Sequence, residues 1–245
     1  MQETTIRLNK YLANQGIAAR RDIKQFVKEQ IVTVNGERVK EPGVRIDPQK
    51  DHVMVNGKEI KPPQLVYYLL NKPQGIISTT ADEYGRKNVL SLIPETQRIY
   101  PVGRLDKDTT GLIILTNDGE LTNKLTHPKF HVYKVYRLIV QGRVNRPQLN
   151  ALRNGVLLDD GITAPAKVHV VQETMNQSTL EITLHEGKNR QIRRMCETVG
   201  LHLINLQRVQ FGPIRIENLK LGKYRELTKK EIALLKEASQ DSSAV

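Results

Sequence analysis

Cysteine and large aromatic residues are scarce in this sequence of 245 residues. Cys196 is the single cysteine, tryptophan is absent, and phenylalanine occurs three times. One thiol excludes a disulfide framework and a thiolate zinc cluster. The shortage of rings argues against an extended aromatic platform for single-stranded nucleic acid, although eight tyrosines allow one or two stacking contacts.

Segments and motifs that would mark several protein classes are also missing. No apolar run reaches the roughly 20 residues of a membrane helix. The first residues lack a basic stretch followed by an apolar one, so we expect no secretory signal and a cytoplasmic protein. There is no glycine-rich dinucleotide or methyl-donor loop, no phosphate-binding loop and no Gly-x-Ser-x-Gly. An enzyme of this sequence is therefore expected to use side chains alone, without a metal or a cofactor.

The charge balance is the first positive indication of function. Lysine and arginine together number 38 against 26 acidic residues, which gives a net charge of +12. A basic protein without a lipid-directed segment most often binds nucleic acid. The alternative is that the charge serves only solubility.

The chain pattern predicts a small unit, a linker and a larger domain. Residues 1–61 contain two short helices, the second over 19–29, and Asn35-Gly36 predicts a hairpin turn. The two prolines after Lys61 predict a stiff linker over residues 62–64.

The larger domain is predicted to span residues 65–237. Its strands do not alternate strictly with its helices, which favours an α+β fold with a mainly antiparallel sheet. Strands are predicted at residues 65–70, 111–116, 135–140, 167–171, 180–184 and 201–209, and helices at 120–125, 146–153, 190–199 and 229–238. Residues 238–245 are small and polar and are predicted to form a disordered tail.

Four segments of the larger domain carry concentrated polar chemistry. They are Asn71-Lys72-Pro73-Gln74-Gly75, residues 103–112, Lys134-Val135-Tyr136-Arg137 and residues 186–195. Residues 103–112 place two acids and two bases in five positions before an apolar strand, an arrangement that suits a site but also a solvated loop. In the predicted helix 190–199, Arg193 borders the apolar stripe, while Arg190 and Arg194 lie on the far side.

Together these segments resemble the bacterial ribosomal pseudouridine synthases of the RsuA/RluB group. Residues 103–112 match the signature Gly-Arg-Leu-Asp-x-x-Thr-Ser/Thr-Gly-Leu, and Lys-Pro-x-Gly, Lys-x-Tyr and Asn-Arg-Gln-Ile-Arg-Arg-Met occur in the expected order. Thr110 stands where many relatives have serine, and Lys188 where arginine is also common. Residues 1–61 resemble an S4 RNA-binding domain. The resemblance implies a small α/β S4-like domain followed by a mixed, mainly antiparallel pseudouridine synthase domain.

The resemblance also implies a reaction and its residues. The enzyme would flip a uridine out of its RNA, break the N1–C1′ bond and rejoin the base through C5, which needs no cofactor. Asp106 would be the essential carboxylate, acting as a nucleophile at C1′ or as a base at C2′. Asp108 falls on a variable position of the signature and is interpreted as a solvated loop acid.

Three further residues receive roles from the same resemblance. Arg193 would pair with Asp106 and keep it ionised, since a nearby cation opposes desolvation. Tyr136 would stack on the target uracil, and Arg104 would fill the place that the flipped base leaves.

The expected partner is ribosomal RNA. Phosphate contacts in the S4-like unit are expected from Arg7, Lys10, Arg20, Arg21, Lys24 and Lys28. The run that begins at Thr116-Asn117-Asp118-Gly119 looks closest to the large-subunit type, so we expect 23S rRNA as the substrate, with 16S rRNA as the alternative. A non-catalytic rRNA-binding or assembly protein and an S4-bearing methyltransferase are the competing classes. We expect a monomer that has no membrane association.

Overall fold

The computed structural model of the chain describes residues 5–18, 22–61, 64–80 and 85–240. The chain forms two compact units. The smaller comprises Met1–Val66 with Glu95–Arg98, and the larger comprises Tyr67–Pro94 with Ile99–Val245. Pro62 and Pro63, on which the predicted linker depends, lie outside the described residues.

The smaller unit joins two short helices to small antiparallel sheets through one apolar core. Its elements are β1 (Ile6–Arg7), α1 (Leu8–Asn14), α2 (Ile23–Glu29), β2 (Val32–Val34), β3 (Glu37–Arg38), β4 (Arg45–Ile46), β5 (Val53–Val55) and β6 (Lys58–Glu59). The core contains Leu8 and Leu12 from α1, Ile23 from α2, and Val32 and Val53 from the strands.

The turn and helix predictions for this unit have different outcomes. The hairpin at Asn35-Gly36 is confirmed, because β2 pairs with β3 across two residues of positive φ. The helix predicted from residue 19 begins at Ile23, and residues 19–21 lie outside the described part of the chain.

Among its described residues the larger unit contains six strands of at least six residues and four α-helices. Its elements are β7 (Tyr67–Lys72), β8 (Tyr100–Pro101), β9 (Thr110–Thr116), α3 (Gly119–Thr126), β10 (Lys134–Gln141), α4 (Arg146–Asn154), β11 (Leu157–Leu158), β12 (Gly161–Ile162), β13 (Lys167–Glu173), β14 (Gln177–Leu184), α5 (Gln191–Thr198), β15 (Leu203–Phe211), β16 (Ile214–Arg215), β17 (Tyr224–Glu226) and α6 (Lys229–Ala238). Two single-turn 3₁₀ helices lie at Val89–Leu92 and Pro128–Phe130.

Nine of the described strands form one sheet. Its order is β13-β14-β10-β15-β9-β7-β17, with β16 on β15 and β8 on β9. The predicted α+β class with a mainly antiparallel sheet is confirmed. The pair β9 and β15 is parallel, and its register contains only Gln207 with Thr110 and Arg208 with Gly111. This short seam joins the two halves of the sheet.

Each half of the sheet has its own apolar core. One core packs α4 and α5 on β10, β13 and β14, and its members include Leu138, Leu180 and Met195. The other packs α3 and α6 on β7 and β9, and its members include Ile114 and Leu235. The seam therefore lies where two separately packed halves meet.

The predicted disordered tail is wrong for Ala238 and Ser239. Ala238 is the last residue of α6, and Ser239 is only 1% exposed. The Ser239 hydroxyl donates to the carbonyl of Lys236, which closes the last turn of the helix. Residues 241–245 lie outside the described part of the chain.

Candidate active site

Asp106 lies in a short loop that the structure fixes through its backbone. The hydroxyl of Ser78 donates to the carbonyl of Leu105 at 3.0 Å and accepts from the Leu105 amide at 3.2 Å. The amide of Thr109 donates to the carbonyl of Asp106 at 3.1 Å, which closes a turn. The backbone on both sides of the carboxylate is therefore held in place.

The Lys-Pro-x-Gly segment supports the next residue of this loop. The amide of Gly75 donates to the carbonyl of Lys107 at 2.9 Å, and Lys72 Nζ lies 3.3 Å from the same oxygen. Lys72 is fully buried, and burial lowers its pKa to about 8 despite the opposing effect of Asp106 and Asp108. Lys72 thus acts as a scaffold behind the loop.

Gly111 is required by the seam between β9 and β15. Its φ is +107°, and a Cβ atom built on it would lie 2.2 Å from the carbonyl oxygen of Arg208. Only glycine permits both this positive φ and so close an approach of the two strand backbones. The glycine of the signature brings the Asp106 loop against β15.

Tyr136 and Arg208 form a direct cross-strand pair on β10 and β15. A register irregularity lies between Val135 and Tyr136, of the kind that re-aims side chains beside sites. Two residues earlier on β10, Lys134 lies on the same face, because side chains alternate along a strand. Burial, and then the Arg208 guanidinium, lowers the pKa of Lys134 to about 8.

The structure assigns different contacts to Arg190 and Arg193 from those expected. Arg190 Nη1 lies 3.9 Å from Asp106 Oδ2. Arg193 instead donates from Nη2 to the carbonyl of Asp108 at 3.0 Å, with the Thr109 hydroxyl at 3.4 Å. The predicted ion pair between Asp106 and Arg193 is therefore wrong, although Arg193 holds the loop that carries Asp106.

Backbone geometry explains this difference. The predicted helix over 190–199 put Arg190 on the far side of the helix, but α5 begins at Gln191. Arg190 is the N-cap and has φ +46°, in the left-handed region. A helical projection therefore does not give the direction of its side chain, which turns toward Asp106.

A cavity of about 300 Å³ joins these groups. It is lined by Asp106, Arg104, Tyr136 and Arg193, so the four residues predicted for the site come together. The lining contains six Lys or Arg side chains against two carboxylates: Arg104, Lys134, Lys188, Arg190, Arg193 and Arg208, with Asp106 and Glu186. The volume is at the lower end of the about 300–1,000 Å³ of ligand sites. Such a cavity suits one nucleotide and attracts negative charge.

Comparison with known proteins decides the family. A model of the RNA pseudouridylate synthase family matches residues 66–198, and an S4 domain model matches residues 6–51. Ribosomal large subunit pseudouridine synthase B of Bacillus subtilis is 42% identical, over 94% of this chain and 95% of the relative. The chain belongs to the RNA pseudouridylate synthase family.

Other relatives agree with this assignment, and the family resemblance seen in the sequence is confirmed. An uncharacterized RNA pseudouridine synthase of Aquifex aeolicus is 40% identical to this synthase, over 94% of this chain and 93% of the relative. A crystal structure of a pseudouridylate synthase matches the fold with a TM-score of 0.68 at 30% identity, covering 94% of this chain and 99% of that one.

The predicted RNA-binding residues of the synthase lie in its smaller unit. Arg7, Lys24 and Lys28 are exposed, and Lys10 is half-buried. None of these four forms an ion pair within 4.0 Å with another described residue, which leaves their charges available for phosphates. Arg20 and Arg21 lie outside the described residues.

Four cations of the synthase cavity were not among the predicted site residues: Lys134, Lys188, Arg190 and Arg208. Arg208 could have been identified from the sequence, because it follows the buried Leu206 by two positions on a predicted strand. Lys134 could also have been identified, because it precedes Tyr136 by two positions on the same strand. Arg190 could not have been identified, because the direction of its side chain depends on its own left-handed backbone conformation.

Proposed function

We propose that this synthase converts one uridine of 23S rRNA to pseudouridine, with Asp106 as the essential carboxylate. The observation that carries this is the position of Asp106, in a fixed loop at a nucleotide-sized basic cavity that Tyr136 also lines. The 42% identical Bacillus subtilis relative is named as a ribosomal large subunit enzyme, which supports the choice of RNA.

The proposed reaction is an isomerisation. The base leaves its stack, and its N1–C1′ bond breaks with the electron pair passing to N1. The freed uracil turns and C5 bonds to C1′, after which C5 loses its proton to solvent and N1 gains one. Asp106 either bonds to C1′ and is displaced when C5 attacks that carbon, or removes the C2′ proton to give a glycal and returns the proton to C2′ when C5 bonds to C1′.

The neighbouring side chains have roles that follow from their positions. Tyr136 offers a ring on which the base stacks inside the cavity. Arg190 keeps a positive charge 3.9 Å from the Asp106 carboxylate. With side-chain exposures of 47% and 33%, this contact contributes about 1 kcal/mol or less to stability, so its value lies in orienting the carboxylate.

Arg193 and Arg104 complete the proposed site. Arg193 is a positioning residue, since it holds the backbone of Asp108 beside Asp106. Arg104 is exposed at the rim of the cavity, where it can occupy the place vacated by the flipped base.

The smaller unit is proposed to bind the RNA that surrounds the target. We assign residues 1–61 to this role, 62–64 to the linker and 65–237 to catalysis. Arg7, Lys10, Arg20, Arg21, Lys24 and Lys28 would contact phosphates, so binding should weaken steeply with salt. We propose a monomer that meets its rRNA in the cytoplasm. None of the helices in the described part of the chain combines the length and the hydropathy of a membrane span.

Tritium release tests the proposed reaction. Transcripts of 23S and 16S rRNA labelled with [5-³H]uridine should release tritium only where C5 becomes bonded to C1′. The enzyme should release one equivalent from 23S rRNA, Asp106→Asn none, and Asp108→Asn the wild-type amount, because Asp108 is exposed. Release from 16S rRNA alone would change the substrate, and release by Asp106→Asn would overturn the catalytic assignment.

The two routes for Asp106 can also be separated. Deuterium at C2′ of the target uridine should slow the single-turnover rate if Asp106 removes that proton. An unchanged rate would favour attack at C1′, provided that chemistry limits the turnover.

A further inference from the structure

Arg208 is a buried cation that has no anionic partner among the described residues. Its side chain is 2% exposed, and no described carboxylate lies within 4.0 Å of it. Nε donates to the carbonyl of Leu112 at 2.7 Å, but Nη2 is buried and has no hydrogen-bond partner within the described part of the chain. An unpaired buried charge is costly, and an unsatisfied buried donor in a native structure calls for an explanation.

A second cation increases this cost. Lys134 Nζ lies 5.7 Å from the centroid of the Phe211 ring, and Arg208 Cζ lies 5.1 Å from the same centroid. The ring attracts each cation only weakly at these distances. A buried and a half-buried cation on one ring, with no described carboxylate between them, are better explained by a ligand than by stability.

The sheet register places these cations beside the proposed base platform. Tyr136 and Arg208 are direct partners on neighbouring antiparallel strands. Such pairs have Cβ atoms about 4.5–5.5 Å apart on one face. Both residues line the cavity that contains Asp106, so a base that stacks on Tyr136 has its edge next to the guanidinium.

We propose that Arg208, assisted by Lys134, donates to a carbonyl oxygen of the flipped uracil and stabilises the negative charge that the base acquires when its N1–C1′ bond breaks. The electron pair of that bond passes to N1 and is shared with O2 and O4. Fixed donors at such a position act on the charge as it develops and need no reorganisation. This inference rests on the proposed function and adds a catalytic residue to it.

The test uses leaving groups of different stability. A 5-fluoro substituent withdraws electrons and stabilises the uracil anion, so cleavage of 5-fluorouridine should depend less on Arg208. Single-turnover consumption of uridine and of 5-fluorouridine would be followed in the same full-length RNA, by nuclease digestion and mass spectrometry. The variants are Arg208→Met and Arg208→Lys, with Arg137→Met as the matched control on β10, where Arg137 makes an exposed ion pair with Glu181.

We expect Arg208→Met to lower the uridine rate about 100-fold, as loss of one charge-stabilising donor does. RNA affinity should stay within about threefold, since the contact forms mainly in the transition state. The loss on 5-fluorouridine should be at least about tenfold smaller, and added methylguanidinium should restore part of the uridine rate. Arg137→Met should match the wild type on both substrates.

Other outcomes overturn the inference. Equal losses on the two substrates by a folded variant would mean that Arg208 has only a structural role, and wild-type rates would mean no role. If Arg208→Met does not fold, Arg208→Lys, which keeps the charge, carries the same comparison, and a substrate-independent loss there overturns the inference as well. A wild-type enzyme that makes no pseudouridine would instead refute the proposed function.

Discussion

Replacing Gly111 by alanine should disrupt the seam that joins the two halves of the larger unit. The new Cβ would lie 2.2 Å from the oxygen, 2.7 Å from the nitrogen and 2.9 Å from the carbonyl carbon of Arg208. All three atoms belong to the backbone, so no side chain can rotate away. The strands would have to separate by roughly 1 Å to reach ordinary contact.

The magnitude combines two costs. A residue with a side chain at φ +107° is strained by about 1–3 kcal/mol. Forcing a methyl group into packed backbone adds about 1–3 kcal/mol. The expected loss of about 2–6 kcal/mol is a large share of the about 5–15 kcal/mol that stabilises a typical domain. Activity should fall as well, because the seam places Arg208 beside the Asp106 loop.

Thermal and urea unfolding would measure this loss against a matched control. Gly142 also has a positive φ, +72°, but no atom lies within 4 Å of its added Cβ. Gly142→Ala should therefore lose only the about 1–2 kcal/mol of the left-handed conformation. If the two variants unfold at the same point, the close approach at Gly111 does not explain the glycine.

Three further predictions concern titrating groups of the larger unit. Hydrogen bonds from Arg225 lower the pKa of Glu231 to about 2, so the stabilisation from this carboxylate is complete above about pH 4.5 and is lost as pH falls toward 2. Glu231→Gln should reduce the change of the unfolding free energy with pH in that window, and an unchanged acid profile would contradict this. Burial lowers the pKa of Lys72 to about 8, so the unfolded state holds more protons between about pH 8 and 10.5 and the free energy of unfolding should rise with pH there. Lys72→Met should show a smaller rise. It should also react more slowly, because the carbonyl of Lys107 loses its contact with Lys72 Nζ. Burial raises the pKa of Cys196 to about 12, so the native protein should resist thiol reagents at pH 8 and react only on unfolding; rapid labelling of folded protein would refute its buried position.

The regular elements were predictable because their signals are local. The helix predicted at residues 229–238 has the bounds of α6, which Thr228 and Glu231 cap reciprocally. The strand predicted at 111–116 begins one residue earlier, at Thr110. Periodic burial of apolar residues determines such segments with little help from the rest of the chain.

Features that depend on single backbone angles or distant contacts were not predictable in this way. The left-handed residue Arg190 turns its charge to Asp106 and leaves Arg193 to hold the loop. The parallel pair of β9 with β15 joins residues 96 apart in hydrogen bonding, and no local pattern shows it. Residues 103–112 were recognisable as a site because the signature is long, while the contacts that leave Arg208 with no anionic partner among the described residues emerge only from the fold.

Pseudouridine mapping in cells tests the central claim most directly. Carbodiimide-dependent reverse-transcription stops would be compared in rRNA from cells with the gene, without it, and rescued with Asp106→Asn or Asp108→Asn. We predict a single stop in 23S rRNA that disappears with the gene and returns with Asp108→Asn but not with Asp106→Asn. A stop restored by Asp106→Asn, or no gene-dependent stop in any rRNA despite confirmed expression, would contradict the account.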